Sequence, residues 1–189
     1  NSIARAHKNG YTEPIAGTML NYYLPPQFYH LALQESNFNV NACGPKTRWG
    51  IAKGMWQFIP STGQYYGLQT GPLAEHRKPD PQDDRHHFLK STRAAAKYLR
   101  HIYDTDAQAS GLLVMASYNW GENRVNRLIN EMPENPKDRN FWRFLEKYRD
   151  KIPQQTYDYV FYIFSAAVIG ENPRLFGFDM DNPLGFVES

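Results

Sequence analysis

Short segments with helical apolar spacing recur along this chain, separated by Gly- and Pro-bearing breaks, and strict every-second-residue alternation is scarce. Apolar residues at i, i+3, i+4 and i+7 mark one face of a helix, whereas alternation marks a half-buried strand. The pattern therefore restricts the fold class to all-α, a globule of roughly seven to nine helices with little or no β structure.

The breaks place the segments. Pro25-Pro26 opens a helix with Phe28, Leu31 and Ala32 on its apolar face, proline being suited to a first turn. Asn37 to Gly54 lacks periodicity and reads as a loop. Pro60-Ser61-Thr62 opens a short helix ending near Gly67, and residues 68–83, rich in Pro and Gly, read as irregular. A long helix is expected from Arg85 to Tyr103, with Leu89, Thr92, Ala96, Leu99 and Tyr103 on one face. Ser110 is positioned to cap Leu112–Asn119, which Gly121 ends. Val125, Leu128, Ile129 and Met132 mark a helix stopped at Pro133. Asn140 caps an aromatic helix containing Phe141, Trp142, Leu145 and Tyr148, with the rings of Phe141 and Trp142 expected in the core. Pro153 starts the last helix, in which Tyr157, Val160, Phe161, Phe164 and Val168 are expected to face inward.

Composition narrows the function classes. The 189 residues are 41% hydrophobic, enough for the core of one domain. With 21 Lys+Arg against 19 Asp+Glu, no basic run argues for nucleic acid or anionic lipid. The single Cys excludes an intrachain disulfide and a multi-Cys zinc site. His86-His87 is a sequential pair whose rings diverge on a helix, so no metal site is expected. No Gly-rich phosphate loop and no Gly-x-Ser-x-Gly elbow appears. The longest nearly apolar run, Tyr159 to Ile169, is shorter than the roughly 20 residues that cross a bilayer, so no integral membrane segment is expected. Opening on Asn1-Ser2-Ile3, the chain reads as a processed or excised piece of a larger parent. Its 13 Tyr, 11 Phe and 4 Trp suggest a groove lined by rings.

Glu35 carries the most chemical information. It follows Phe28 by seven positions, Leu31 by four and Ala32 by three, which puts a carboxyl on the apolar face near a helix end. Desolvation and the negative end of the helix dipole both disfavour ionisation there and push the pKa upward. A carboxylic acid kept protonated is what protonation of a glycosidic oxygen requires. A register error of a residue or two would instead leave Glu35 exposed. No second carboxylate has a comparable claim, since Asp80, Asp83 and Asp84 lie in a Pro-rich turn and a helix cap, and Glu122 follows a glycine.

Three further segments give Glu35 a context. Glu35-Ser36, then Gly54-Met55-Trp56-Gln57-Phe58-Ile59-Pro60-Ser61-Thr62-Gly63, then Ala116-Ser117-Tyr118-Asn119-Trp120-Gly121 resembles, in order and spacing, the lytic transglycosylase (SLT) domain. These are peptidoglycan-cleaving relatives of goose-type lysozyme. The spelling Gly-x-Trp-Gln before Ile-Pro-Ser-Thr-Gly, with Tyr66-Gly67-Leu68, looks most like the membrane-bound lytic transglycosylase D branch of family 1. Ser91-Thr92-x-Ala94-Ala95-Ala96-x-Tyr98-Leu99 and Gln155-Thr156-Tyr157-Asp158-Tyr159-Val160 fit it too. The resemblance covers residues 22–170, leaving 1–21 as an N-terminal extension packed on the core and 171–189 as a C-terminal one.

The resemblance implies a lysozyme-like, goose-type helical globule with a substrate cleft. Glu35 would be its sole catalytic acid/base, and Ser36 would hold the helix end to the loop. Gly54 would let the backbone approach the groove, and Gln57 would hydrogen-bond substrate with Met55 or Trp56 packed nearby. Tyr118 and Asn119 would line the cleft floor, and Tyr159 matches the tyrosine of the last motif. Sugars are expected to stack on Trp56, Phe58, Tyr118 and Tyr159. Without the resemblance, Gln57, Asn119 and Tyr159 read equally well as caps or core.

The pattern also departs from the family. Gly44 to Lys53 looks a few residues longer than usual, and Cys43 falls nearest a serine slot, where a thiol is a weaker donor. Gln155 replaces a customary Glu, and Ser117 a customary Ala. The implied activity is that of a carbon–oxygen lyase, cleaving between N-acetylmuramic acid and N-acetylglucosamine without water, with no cofactor and no metal. A hydrolysing goose-type lysozyme and a catalytically impaired peptidoglycan-binding module are the alternatives. The implied partner is the peptidoglycan glycan strand. The chain is expected to be a monomer, periplasmic or exported, within a larger parent protein or a secretion or cell-wall machinery.

Overall fold

The computed structural model describes residues 2–187, which fall into two compact units. The first takes the chain up to Tyr98 and resumes at Ile169; the second is Leu99–Val168. Among the described residues the architecture is helical, with one two-stranded hairpin.

The first unit begins with α1 (Ser2–Lys8) and α2 (Thr12–Asn21). Helix α2 buries Thr12, Ile15, Ala16 and Met19, a single narrow face, and accepts Pro14 because its first turn needs no amide donor there. These two helices carried too few apolar positions to stand out in the sequence. A 3-10 turn at Pro26–Phe28 leads into α3 (Tyr29–Ser36), which buries Tyr29, His30, Leu31 and Ala32.

The stretch expected as loop forms β1 (Cys43–Thr47) and β2 (Gly50–Lys53), an antiparallel hairpin with an irregularity between Cys43 and Lys46. Gly44 and Pro45 are poor strand formers, which hid it. Burial of Ile51 and Lys53 holds β2 in place, and the Lys53 ammonium donates to the carbonyls of Leu73 and Lys78 at 2.8 and 2.9 Å. Helix α4 (Pro60–Tyr65) follows, then an irregular stretch organised by the buried Asp80 carboxylate. That group accepts from the amides of Leu73 (2.9 Å) and Gln82 (3.0 Å). A 3-10 turn at Asp84–His86 precedes α5 (Phe88–Tyr103), whose buried side is Ala94, Ala95, Ala96, Leu99 and Ile102, with Leu89 exposed rather than inward.

The second unit contains α6 (Gly111–Trp120), α7 (Glu122–Asn130), α8 (Phe141–Tyr148) and most of α9 (Gln154–Glu171). Gly121 separates α6 from α7 with φ 99°, a conformation costly for other residues. The Asn140 side chain caps α8 by accepting from the Arg143 amide at 3.0 Å. Two inward assignments are corrected. Trp142 is 49% exposed, and on α9 the buried set is Thr156, Tyr159, Val160 and Ile163, while Phe164 and Val168 are exposed. Both stripes of α9 have helical spacing, so periodicity alone could not choose between them. The outer rings shield one another: Trp142 meets Phe161 and Phe164 edge-on at 5.9 and 5.7 Å.

Candidate active site

Glu35 is the penultimate residue of α3 and is half-buried, on the side of Phe28, Leu31 and Ala32, all nearly inaccessible. The helix stops immediately after Ser36. Asn37 (φ 54°) and Phe38 (φ 59°) both turn left-handed, and their amides close on the carbonyls of Leu33 (2.9 Å) and Ala32 (3.2 Å). This is a Schellman-type ending built without glycine, and non-glycine residues resist that region. Two contacts support it. The Phe38 ring packs on Tyr29 at 4.7 Å, and Arg5 of α1 donates to the Asn37 carbonyl at 2.9 Å. The N-terminal helix thus secures the turn that follows the acid, a role invisible in the sequence.

Ser36 ties this turn to the second motif. Its hydroxyl donates to the Met55 carbonyl at 2.8 Å and accepts from the Asn39 amide at 3.1 Å. With its donor and an acceptor lone pair in use, the Ser36 hydroxyl acts on the frame.

Residues 54–58 make a tight turn. The Gly54 carbonyl accepts from the Gln57 amide (3.3 Å) and from Gln57 Nε2 (2.8 Å), and the Lys53 amide donates to the Phe58 carbonyl at 3.1 Å. Gln57 itself sits at φ 50°, a strained conformation for a side-chain-bearing residue. Gly54 (φ 80°) is required by its surroundings: a Cβ there would lie 1.7 Å from the Arg85 carbonyl oxygen.

Arg85 is the anchor of this turn. Fully buried, its guanidinium grips the Asp83 carboxylate at 2.9 and 2.6 Å and donates to the carbonyls of Ile51 (2.8 Å) and Phe58 (3.1 Å). Burial alone would raise the Asp83 pKa, but the hydrogen bonds and charge of Arg85 outweigh it and hold the carboxyl below its ordinary range. An Asp-x-Arg spacing was the only sequence signal for this pair. The Asp84 carboxylate is likewise held low against its own burial by Lys90.

Met55, Trp56 and Phe58 lie within the core, at 0, 0 and 3% exposure. Trp56 Nε1 donates to Thr92 Oγ1 at 3.1 Å. A sugar needs an exposed ring face, so the expected stacking on Trp56 and Phe58 is corrected: they support the turn from beneath. Cys43 is partly buried, and burial pushes its thiol up, so it remains a neutral thiol.

In the second unit, Tyr118 and Asn119 lie in the last turn of α6, which ends at Trp120, and are half-exposed. Asn119 Oδ1 accepts from the buried Thr156 hydroxyl at 2.9 Å, which orients the amide and leaves Nδ2 to donate. Tyr159, three residues along α9 from Thr156, is buried at 6% exposure, which leaves little ring for stacking. Ser117 is buried and donates to the Leu113 carbonyl at 2.8 Å. Among the described residues, no group of three or more His, Cys, Asp or Glu side chains is placed to hold a metal ion.

In this helical fold a half-buried Glu lies at the end of one helix and its neighbouring Ser hydroxyl ties down a Gly-x-x-Gln turn, the arrangement that the resemblance to a lysozyme-like domain implies. The chain belongs to the Transglycosylase SLT domain family, whose model matches residues 14–141. It is 31% identical over 166 residues to the membrane-bound lytic murein transglycosylase D of Escherichia coli K12, and equally to that of Escherichia coli O6:H1. These alignments take in 86% of this chain and 32% of each relative, so the chain spans about a third of their length.

Proposed function

We propose that the chain is a peptidoglycan lytic transglycosylase in which Glu35 is the single acid/base. The carrying observation is the half-buried Glu35 at the end of α3, one residue before the hydroxyl that holds the Gly54–Gln57 turn. Family membership supports the substrate class, as do relatives named for acting on murein. Glu35 protonates the oxygen joining N-acetylmuramic acid to N-acetylglucosamine while the substrate's 2-acetamido group supports the oxocarbenium-like carbon. The glycosidic C1–O bond breaks. Glu35, now a base, takes the proton of the muramoyl 6-hydroxyl as that oxygen bonds to C1. A 1,6-anhydro end results and no water is consumed.

Most glycosidases need a second carboxylate. Asp80 and Asp83 are buried and committed to backbone amides and to Arg85, and Asp84 to Lys90. This favours the one-carboxylate route over hydrolysis. Gln57, Tyr118 and Asn119 are the residues we assign to substrate contacts, Tyr159 being largely buried. Action in the periplasm or outside the cell follows from where peptidoglycan lies. Among the described residues no helix is long and apolar enough to cross a membrane.

The test is Glu35→Gln. It should abolish the fall in turbidity of purified peptidoglycan, by about a thousandfold or more, while co-sedimentation with sacculi persists. A wild-type chain that binds but never clears sacculi would instead make it a binding module.

A further inference from the structure

The hairpin tip carries two residues that the proposed chemistry does not use. Thr47 and Gly50 are cross-strand partners, so Arg48 and Trp49 alone make the turn. Trp49 is 60% exposed, and the Arg48 guanidinium lies over its ring, 4.6 Å from the centroid. The turn is rigidly built. Thr47 Oγ1 donates to the Gly50 carbonyl at 2.9 Å and accepts from the Trp49 amide at 3.1 Å. Gly50 holds φ 93° against Pro60, whose ring lies 2.9 Å from where a Cβ would stand.

The base of the hairpin shares the frame of the Gly54–Phe58 turn. Arg85 binds the Ile51 carbonyl, and the space beside Gly44 is filled by Gln57, whose Oε1 would be 3.1 Å from a Cβ there. Counting about 3.3 Å per residue, the tip stands about 15 Å along β1 from the point where Gly44 passes Gln57. Arg48 and Trp49 are therefore presented at a fixed distance from a residue assigned to substrate.

An exposed indole at an ordered tip leaves a large apolar face in water. Stacking on one face occupies only half of it. The other face remains flat and apolar, as a pyranose ring requires, and the guanidinium edge keeps its N–H groups for a carboxylate in bidentate geometry. A ligand that offers a sugar face beside a carboxylate satisfies both.

We propose that Arg48 and Trp49 form an accessory clamp for an acidic glycan strand, Trp49 stacking on an N-acetylated sugar and Arg48 pairing with a carboxylate of the attached peptide. This rests on the peptidoglycan reading above. The clamp holds substrate and takes no part in bond cleavage.

The experiment compares wild type, Trp49→Ala and Arg48→Ala, each in active form for kinetics and with Glu35→Gln for binding, on purified sacculi and on an uncharged N-acetylglucosamine tetramer. Trp49→Ala should raise the apparent KM on sacculi about tenfold with kcat within about twofold, a loss of binding alone. It should weaken tetramer binding as well. Arg48→Ala should weaken sacculus binding about fivefold and leave tetramer binding unchanged, since the tetramer has no carboxylate. Unchanged melting temperatures show that the variants fold. Wild-type action on sacculi with an unaltered KM in Trp49→Ala overturns the clamp and spares the peptidoglycan reading. A wild type that neither binds nor clears sacculi overturns both.

Discussion

The Ser36 hydroxyl donates to the Met55 carbonyl across 2.8 Å, joining the residue beside the acid to the turn that bears Gln57. Nineteen positions apart in the chain, they fix one motif against the other. Ser36→Ala removes the donor to the carbonyl of the buried Met55, costing about 1–2 kcal/mol of stability. Because misplacement of positioned groups is costly, kcat should fall about tenfold with KM little changed. Denaturant unfolding and steady-state turbidity kinetics measure both. A variant that loses stability but no activity would reduce this bond to a purely structural one.

The Asp83–Arg85 pair is fully buried and satisfies the carbonyls of Ile51 and Phe58. Removing one partner strands a charge, so Asp83→Asn or Arg85→Met should cost about 3–5 kcal/mol. An exposed pair such as Arg143–Glu146 should change stability by less than about 1 kcal/mol on the same treatment. Urea midpoints of the variants make the comparison, and equal losses would contradict the account.

Gly54→Ala tests the close approach of Arg85. The added methyl would meet the Arg85 carbonyl at 1.7 Å in a backbone held at φ 80°. Neither partner is a flexible side chain, so the backbone must move. A loss of more than about 3 kcal/mol, or failure to fold, is expected. Gly10→Ala, also at positive φ but with nothing within 4 Å, isolates the conformational cost and should lose only about 1 kcal/mol.

His30 gives the molecule an acid sensitivity. Burial lowers its pKa from 6.5 to about 4, and its Nδ1 has no hydrogen-bond partner. The unfolded chain therefore binds the proton more readily than the folded one. The stability of the neutral state is complete above pH 6.5 and is lost as pH falls through that value towards about 4. The full loss is about 3 kcal/mol. Wild-type unfolding free energy should decline across that window, and His30→Gln should flatten the slope. Parallel slopes would remove His30 as the cause.

Much of the helical frame was readable because its signals are local: Pro60 at a first turn, Asn140 as a cap, Gly121 at positive φ. Glu35 was readable because three apolar residues precede it at helical spacing. The hairpin was not, since Gly44 and Pro45 have little strand preference and the pairing depends on Lys53 and Arg85 reaching distant carbonyls. The same holds for Arg5, which closes on Asn37 from 32 residues away. Trp56 and Phe58 looked like sugar platforms because aromatic type does not tell a buried ring from an exposed one, whereas Trp49 had no motif to mark it.

The central claim is single-carboxylate transglycosylation by Glu35, and the mass of the released muropeptides tests it most directly. Digestion of purified sacculi by the wild-type chain should yield products lighter by one water than hydrolytic muropeptides, carrying 1,6-anhydro-muramoyl ends, and none with Glu35→Gln. Hydrated reducing ends as the only products, or anhydro products that persist in Glu35→Gln, would contradict it.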